Sequence, residues 1–220
     1  MRWKTVCILL IALLLAIGIA SAETESIYDR LNAGASLNAS SDVCAWLEIP
    51  GTGFVQPVMQ HASDVSFYLD HDAGGNENPS GALYTEFTYS AADFSDPVTV
   101  IYGKRRSDGS MFGSLQEWFS GSFDKLPVIR LHMPEGTREY QVFAAVPYSG
   151  IHLLYYNDFR YPQVYNSFFD RVYSTRRLGV QLADDLRPVP GEAVIILSTG
   201  LRGDTSQRYL VMAKSNNEFN

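Results

Sequence analysis

The sequence predicts a mainly β domain, a barrel or a sandwich, with a few helices outside the sheet. Three observations carry this. Short β-prone runs recur from Cys44 to Ala213, most of them bounded by Gly, Pro, Asn or Asp. Only two later stretches space their apolar residues as a helix does. No internal repeat, coiled coil or low-complexity tract interrupts the pattern, so one layered β core is the simplest architecture.

In chain order, Arg2 and Lys4 precede an apolar run from Val6 to Ala20, and Ala20-Ser21-Ala22 forms a small-x-small cleavage site. That is the pattern of a secretory signal peptide. The run is shorter than the ~20 residues that span a bilayer comfortably, yet tilt or thinning accommodates such a length. Residues 1–22 are therefore expected to be a signal peptide or an N-terminal membrane anchor, and the rest of the chain extracytoplasmic. Residues 23–41 read as a polar linker with a short helix over Glu25–Leu31. A folded domain is expected over 42–220. Its strands are predicted at Cys44–Ile49, Val55–Met59, Ala82–Thr85, Val98–Tyr102, Val128–Met133, Glu139–Val146, Ala193–Thr199 and Tyr209–Ala213. Helices are predicted at Met111–Phe119 and at Val164–Tyr173, where Val164, Phe168, Phe169 and Val172 share one face.

Charge and cysteine usage narrow the function classes. Beyond Ala22 the chain keeps 15 basic and 24 acidic residues, which argues against a nucleic-acid partner. Cys7 lies in the targeting segment and only Cys44 follows it, so no intrachain disulfide forms in the exported part. Neither a structural metal nor a cofactor is expected.

Six pieces then occur in a recognisable order. They are Trp46-Leu47-Glu48-Ile49-Pro50-Gly51-Thr52, Gln56-Pro57-Val58-Met59-Gln60, Phe67-Tyr68-Leu69-Asp70-His71-Asp72 and Ser80-Gly81-Ala82-Leu83-Tyr84. Val98-Thr99-Val100-Ile101-Tyr102-Gly103-Lys104 and Ala193-Val194-Ile195-Ile196-Leu197-Ser198-Thr199-Gly200 follow, with Arg208-Tyr209-Leu210-Val211 after them. The layout resembles the class B sortases, cysteine transpeptidases that attach proteins to Gram-positive cell walls. The resemblance covers most of 42–214. It implies a closed β-barrel of about eight strands with peripheral helices, and it places Val164–Tyr173 in the long connection between the sixth and seventh strands.

In the family the first active-site strand ends Tyr-Gly-His, the second ends Ser-Thr-Cys, and the third begins with an Arg. Here Lys104 stands at the His position and Gly200 at the Cys position, while Arg208 matches. The family's acyl transfer needs a thiolate nucleophile, an acid for the leaving amine and a fork of donors for the oxyanion. Gly200 supplies no nucleophile and reads as a turn residue at positive φ that ends a strand. A Ser198/Lys104 or Thr199/Lys104 dyad can be written on paper. Lys104 otherwise reads as a solvated loop residue, or as part of a basic cluster of Lys104, Arg105 and Arg106 with Arg202 and Arg208. Such a cluster suits a carboxylate, a phosphate or an anionic wall polymer. Arg208 reads equally as a peptide clamp or as a partner of Asp204. Cys44 reads as a small buried cysteine, His71 as a structural hydrogen-bonding residue, and Tyr155-Tyr156 as core aromatics.

The expected protein is thus an exported sortase-like module without transpeptidase machinery. It would bind a sorting-signal-like peptide or a cell-wall component, or attend an intact sortase or its surface-protein substrate. Its membrane contact would be the N-terminal segment where that stays uncleaved. The alternative is an active transpeptidase or peptidase that uses non-standard residues.

Overall fold

The computed structural model describes residues 25–35, 42–121 and 127–216. The expected signal peptide or anchor over 1–22 lies outside the described residues. Helix α1 (Ile27–Gly34) starts where Ser26 caps it, its Oγ accepting the Asp29 N–H at 3.1 Å. The Tyr28 hydroxyl donates to the Val43 carbonyl at 2.7 Å, and Asn32 accepts from the Trp46 indole N–H at 2.7 Å. These bonds lay the helix on the first strand.

Nine strands follow: β1 (Val43–Ile49), β2 (Phe54–Met59), β3 (Leu83–Tyr84), β4 (Val98–Tyr102), β5 (Val128–Met133), β6 (Gly136–Ser149), β7 (Gln181–Leu182), β8 (Val194–Leu201) and β9 (Asp204–Ser215). They hydrogen-bond in the order β5-β1-β2-β3-β4-β8-β9-β6-β7, and an added β5–β6 pairing closes a ring of eight with β7 left outside it. The barrel of about eight strands is therefore present. Closure leaves most strands no free edge. The β2–β3 and β4–β8 pairs are parallel and the rest antiparallel.

Period-two alternation assigns each side chain to a face. Ala45, Leu47, Ile49, Ile195, Leu197, Tyr209 and Val211 fill the barrel interior. Val98, Val100, Val194, Ile196 and Met212 point outward and are covered by helix α4 (Pro162–Tyr173) through Phe168, Phe169 and Val172. Each of the two phenylalanines is fully buried. At ~150–250 Å² per ring and ~25 cal/mol per Å², each contributes at most about 4–6 kcal/mol to holding the helix down. α4 lies in the connection between β6 and β8, as the resemblance implies, and begins two residues early because Pro162 suits a first helical turn.

The other predicted helix shrinks to α2 (Leu115–Trp118). Met111 sits at φ 53°, outside helical geometry, and bridges to Arg105 instead. β6 and β9 outrun their predicted spans because they pair with each other along most of their length. The two-residue β7 and helix α3 (Leu153–Tyr156) are too short for periodicity to reveal. Among the described residues, no helix is long and apolar enough to cross a membrane.

Candidate functional site

A cleft of about 330 Å³ opens on the outer face of the barrel where β3, β4, β8 and β9 lie side by side. Strand register builds it. Tyr102 pairs with Ser198 across the parallel β4–β8 ladder. Gly200 pairs with Arg208 across β8–β9, just before that register shifts. Directly opposed residues on an antiparallel ladder hold their side chains about 5 Å apart. Gly200 and Arg208 thus face the same space.

Gly103 continues β4 by donating its N–H to the Ser198 carbonyl at 3.1 Å. A Cβ there would come within 2.4 Å of Phe112 and 2.6 Å of Leu83, so only glycine fits. Lys104 emerges next, and its Nζ donates to the Pro79 carbonyl at 2.8 Å. Arg105 and Arg106 complete one wall. Arg106 stands 3.8 Å from Asp108, and among the described residues the Arg105 side chain makes no hydrogen bond or ion pair. The opposite wall is aromatic: Tyr68, Tyr84 and Tyr102, with the last two rings stacked at 5.3 Å.

Lys104, Arg105, Arg106, Gly200 and Arg208 all line this one cleft. Among the described residues no carboxylate and no imidazole line it with them. Arg208 is exposed and has no hydrogen-bond or ion-pair partner among the described residues. Asp204 turns instead to the Ser206 N–H and hydroxyl, at 3.0 and 2.6 Å, and to the Gln207 amide at 2.6 Å. Those bonds hold the Asp204 carboxyl below the usual carboxylate range. Of the two readings of Arg208, the one that pairs it with Asp204 fails. Burial pushes the Tyr84 phenol up to about 12 and raises that of Tyr102 as well. The Glu86 carboxylate adds to both shifts and Arg208 opposes them.

Other expected residues do not join the cleft. Arg202 pairs with Glu117 on α2, and its backbone N–H bonds the Gln116 side chain at 3.2 Å. Ser198 and Thr199 are buried in the sheet and absent from the lining. Thr199 falls on the interior face with Ile195 and Leu197, and its hydroxyl has no partner. With Lys104 already held by Pro79, the Ser/Lys and Thr/Lys dyads have no geometry. Gly200 is not the positive-φ turn residue expected. It lies within β8 outside the left-handed region, and a Cβ on it would meet nothing within 4 Å.

Cys44 sits on β1, where its thiol donates to the Val58 carbonyl at 3.1 Å and burial pushes it up to about 12. It is no nucleophile. His71 places Nδ1 2.9 Å from the Phe67 carbonyl and 2.8 Å from Asp70, a local fastening. Tyr155 and Tyr156, expected in the core, are each 66% exposed. Sequence reasoning did not place Tyr68, Tyr84 and Tyr102 in the site, although each belongs to a quoted family piece. Pairing register was needed to bring them together.

No family model matches the chain. Two curated proteins do. Sortase B of Staphylococcus aureus is 26% identical over 178 residues, 80% of this chain and 70% of that protein. Sortase B of Listeria monocytogenes is 25% identical over 160 residues, 73% of this chain and 63% of that protein. The chain is homologous to class B sortases. Its fold is theirs too: the crystal structure of Staphylococcus aureus sortase B superposes with a TM-score of 0.71 at 22% identity, covering 90% of this chain and 91% of that one.

Proposed function

We propose that this chain is an exported sortase-like protein that binds rather than cuts. On this reading the family's cysteine and histidine positions are held by Gly200 and Lys104, and Arg208 is what remains of the reaction centre. The observation that carries it is the lining of the cleft: four cations, three tyrosines, a glycine where a nucleophile would stand, and, among the described residues, no acid or imidazole. Four cations, of which only Arg106 faces a carboxylate among the described residues, in a chain of net charge −7 favour an anionic guest. A carboxylate-bearing, sorting-signal-like peptide fits such a cleft, its carboxylate on the Arg208 fork and its side chains against Tyr84 and Tyr102. An anionic cell-wall component presents the same chemistry. The N-terminal segment would carry the protein to the outer face of the membrane or beyond it. There an intact sortase or its surface-protein substrate is the natural partner.

The rival reading, transpeptidation by non-standard residues, lacks a group to start it. The hydroxyls beside Gly200 are buried and Lys104 is engaged. Fluorescence anisotropy of a labelled sorting-signal-like peptide, run beside a cleavage assay, tests the proposal. Saturable binding that weakens with salt and with Arg208→Ala, without product above the blank, is the expected result. Product formation that Ser198→Ala or Lys104→Ala abolishes would establish the rival instead.

A further inference from the structure

A second, larger cleft of about 600 Å³ lies at the other end of β4. Its floor is Pro97 and Val98, where that strand begins, whereas Lys104 and the cationic cleft lie beyond its last residue. At ~3.3 Å per residue, Val98 and Tyr102 are about 13 Å apart along the strand. A row of rings divides the two spaces. Tyr89 lines the second cleft and stands 5.0 Å from the His152 ring, which is 6.3 Å from Tyr102 in the first. His152 is fixed in that row. Its Nδ1 accepts the Tyr155 N–H at 3.0 Å, and its Nε2–H is left to donate to Glu86 at 3.1 Å.

We infer that this second cleft is a binding site for an uncharged oligosaccharide. Its volume falls in the ~300–1,000 Å³ range of small-ligand sites. Aromatic rings stand exposed on its rim: Phe87 at 41% and Tyr155 at 66%, with Tyr156 packed edge-on to Tyr155 at 5.0 Å. Exposed rings around a concavity mark surface that a ligand covers. The polar lining is of a particular kind. Arg160 grips Asp158 through two bonds of 2.8 and 2.7 Å, so this planar donor-acceptor pair brings no net charge. Asp96 already accepts the Ala91 N–H at 2.6 Å. Ser90 lines the cleft at 4% exposure, and its hydroxyl has no partner among the described residues. An anion would meet two carboxylates and one guanidinium already taken, so the guest of the first cleft is excluded here. A pyranose offers what the lining asks for, an apolar C–H face for the rings and hydroxyls for the neutral polar groups. The inference does not depend on the cationic cleft or on what that cleft binds.

The test is an amide chemical-shift titration of the full chain with chitotriose and, separately, cellotriose, with tetramethylammonium chloride as the cationic control. Saturable shifts at Phe87, Tyr155 and Arg160, with Gly200 and Arg208 unmoved, are expected with at least one trisaccharide. Tyr155→Ala removes an exposed ring without touching the core. It should weaken that binding about three- to tenfold, as the loss of one ring contact implies. Phe87→Ala, also exposed, should act in the same direction. Arg208→Ala should leave it unchanged. Three results overturn the inference: no saturable shift with either sugar, affinity untouched by both ring variants, or tetramethylammonium occupying the cleft in preference to both sugars.

Discussion

Gly200→Cys is the most informative single change, because the structure sets both its cost and its chemistry. Gly200 lies in β8 outside the left-handed φ region, and an added Cβ meets nothing within 4 Å. A side chain there carries no steric penalty and removes the entropic disadvantage of glycine in a strand, about 0.5–1 kcal/mol. In a domain of this size that corresponds to a rise of about 1–4 °C in Tm. The new thiol would face Arg208 across the ladder, about 5 Å away. Lys104 and Arg105 line the same space. An opposite charge at ~4–6 Å lowers an acid by ~1–3 pKa units, and exposure of Arg208 to solvent puts the effect at the low end, about one unit below the ordinary ~8.5. The assay is the pH dependence of alkylation by iodoacetamide. Cys44 stays silent in it, since burial holds that thiol up at about 12. Adding Arg208→Ala should return the midpoint toward the ordinary value. A midpoint at or above that value, or a variant less stable than the parent, would show that position 200 does not open onto the cationic cleft.

Four further outcomes are expected. Gly103→Ala should cost about 1–3 kcal/mol in urea denaturation, because its Cβ collides with Phe112 and Leu83 in the core; an unchanged midpoint contradicts that packing. Arg202→Ala should cost less than about 1 kcal/mol, its pair with Glu117 being exposed, and should leave peptide binding in the cationic cleft intact while Arg208→Ala reduces it. Five aspartates, Asp64, Asp93, Asp108, Asp158 and Asp204, are held below the usual range, chiefly by hydrogen bonds from side chains two residues on. A depressed folded-state pKa contributes stability above the unfolded value of ~3.9 that is lost on acidification, so urea midpoints should fall from pH 5 toward pH 2. Tyr84 and Tyr209 are raised to about 12, so their contribution is complete below ~10 and lost as pH climbs toward 12. The tyrosinate absorbance of these two rings, read as the difference from a variant carrying Tyr84→Phe and Tyr209→Phe, should therefore rise together with unfolding rather than before it.

Much of the barrel was legible because its strands are short, punctuated and apolar on alternate residues, and because the six family pieces kept their order. What escaped were features that local pattern cannot encode. β7 and α3 are too short to show a period, and the ends of β6 and β9 are set by partners far away in sequence. Met111 looked helical, since a left-handed φ at a single residue leaves no mark on hydrophobic spacing. The basic half of the cleft was readable from Lys104, Arg105, Arg106 and Arg208, which register gathers at adjacent strand ends. Arg202 was misplaced, because the tight turn after β8 carries it to Glu117 instead. The tyrosine wall was unreadable for the converse reason. Tyr68, Tyr84 and Tyr102 come from three separate elements whose adjacency only the barrel creates.

On the proposed reading two family positions are exchanged, and both exchanges would push the cleft in one direction, which gives the binding proposal its internal logic. A fork of cationic donors serves acyl transfer by meeting negative charge that exists only in the transition state. On the proposed reading no such charge can form, since Gly200 has no sulfur to attack with. There a lysine would stand in place of a histidine, a more basic group than an imidazole. A glycine would stand in place of the cysteine, and Gly200 does leave the space opposite Arg208 open. On that reading the field of the cleft would be stronger, more open and free to act on a stable anion. Affinity for a carboxylate guest should then rest on Coulomb attraction in a partly exposed cleft, and should decay with added salt as the Debye length falls from ~10 Å at 0.1 M to ~3 Å at 1 M. Binding indifferent to salt over that range would place the energy in the tyrosine wall and remove the cations from the argument.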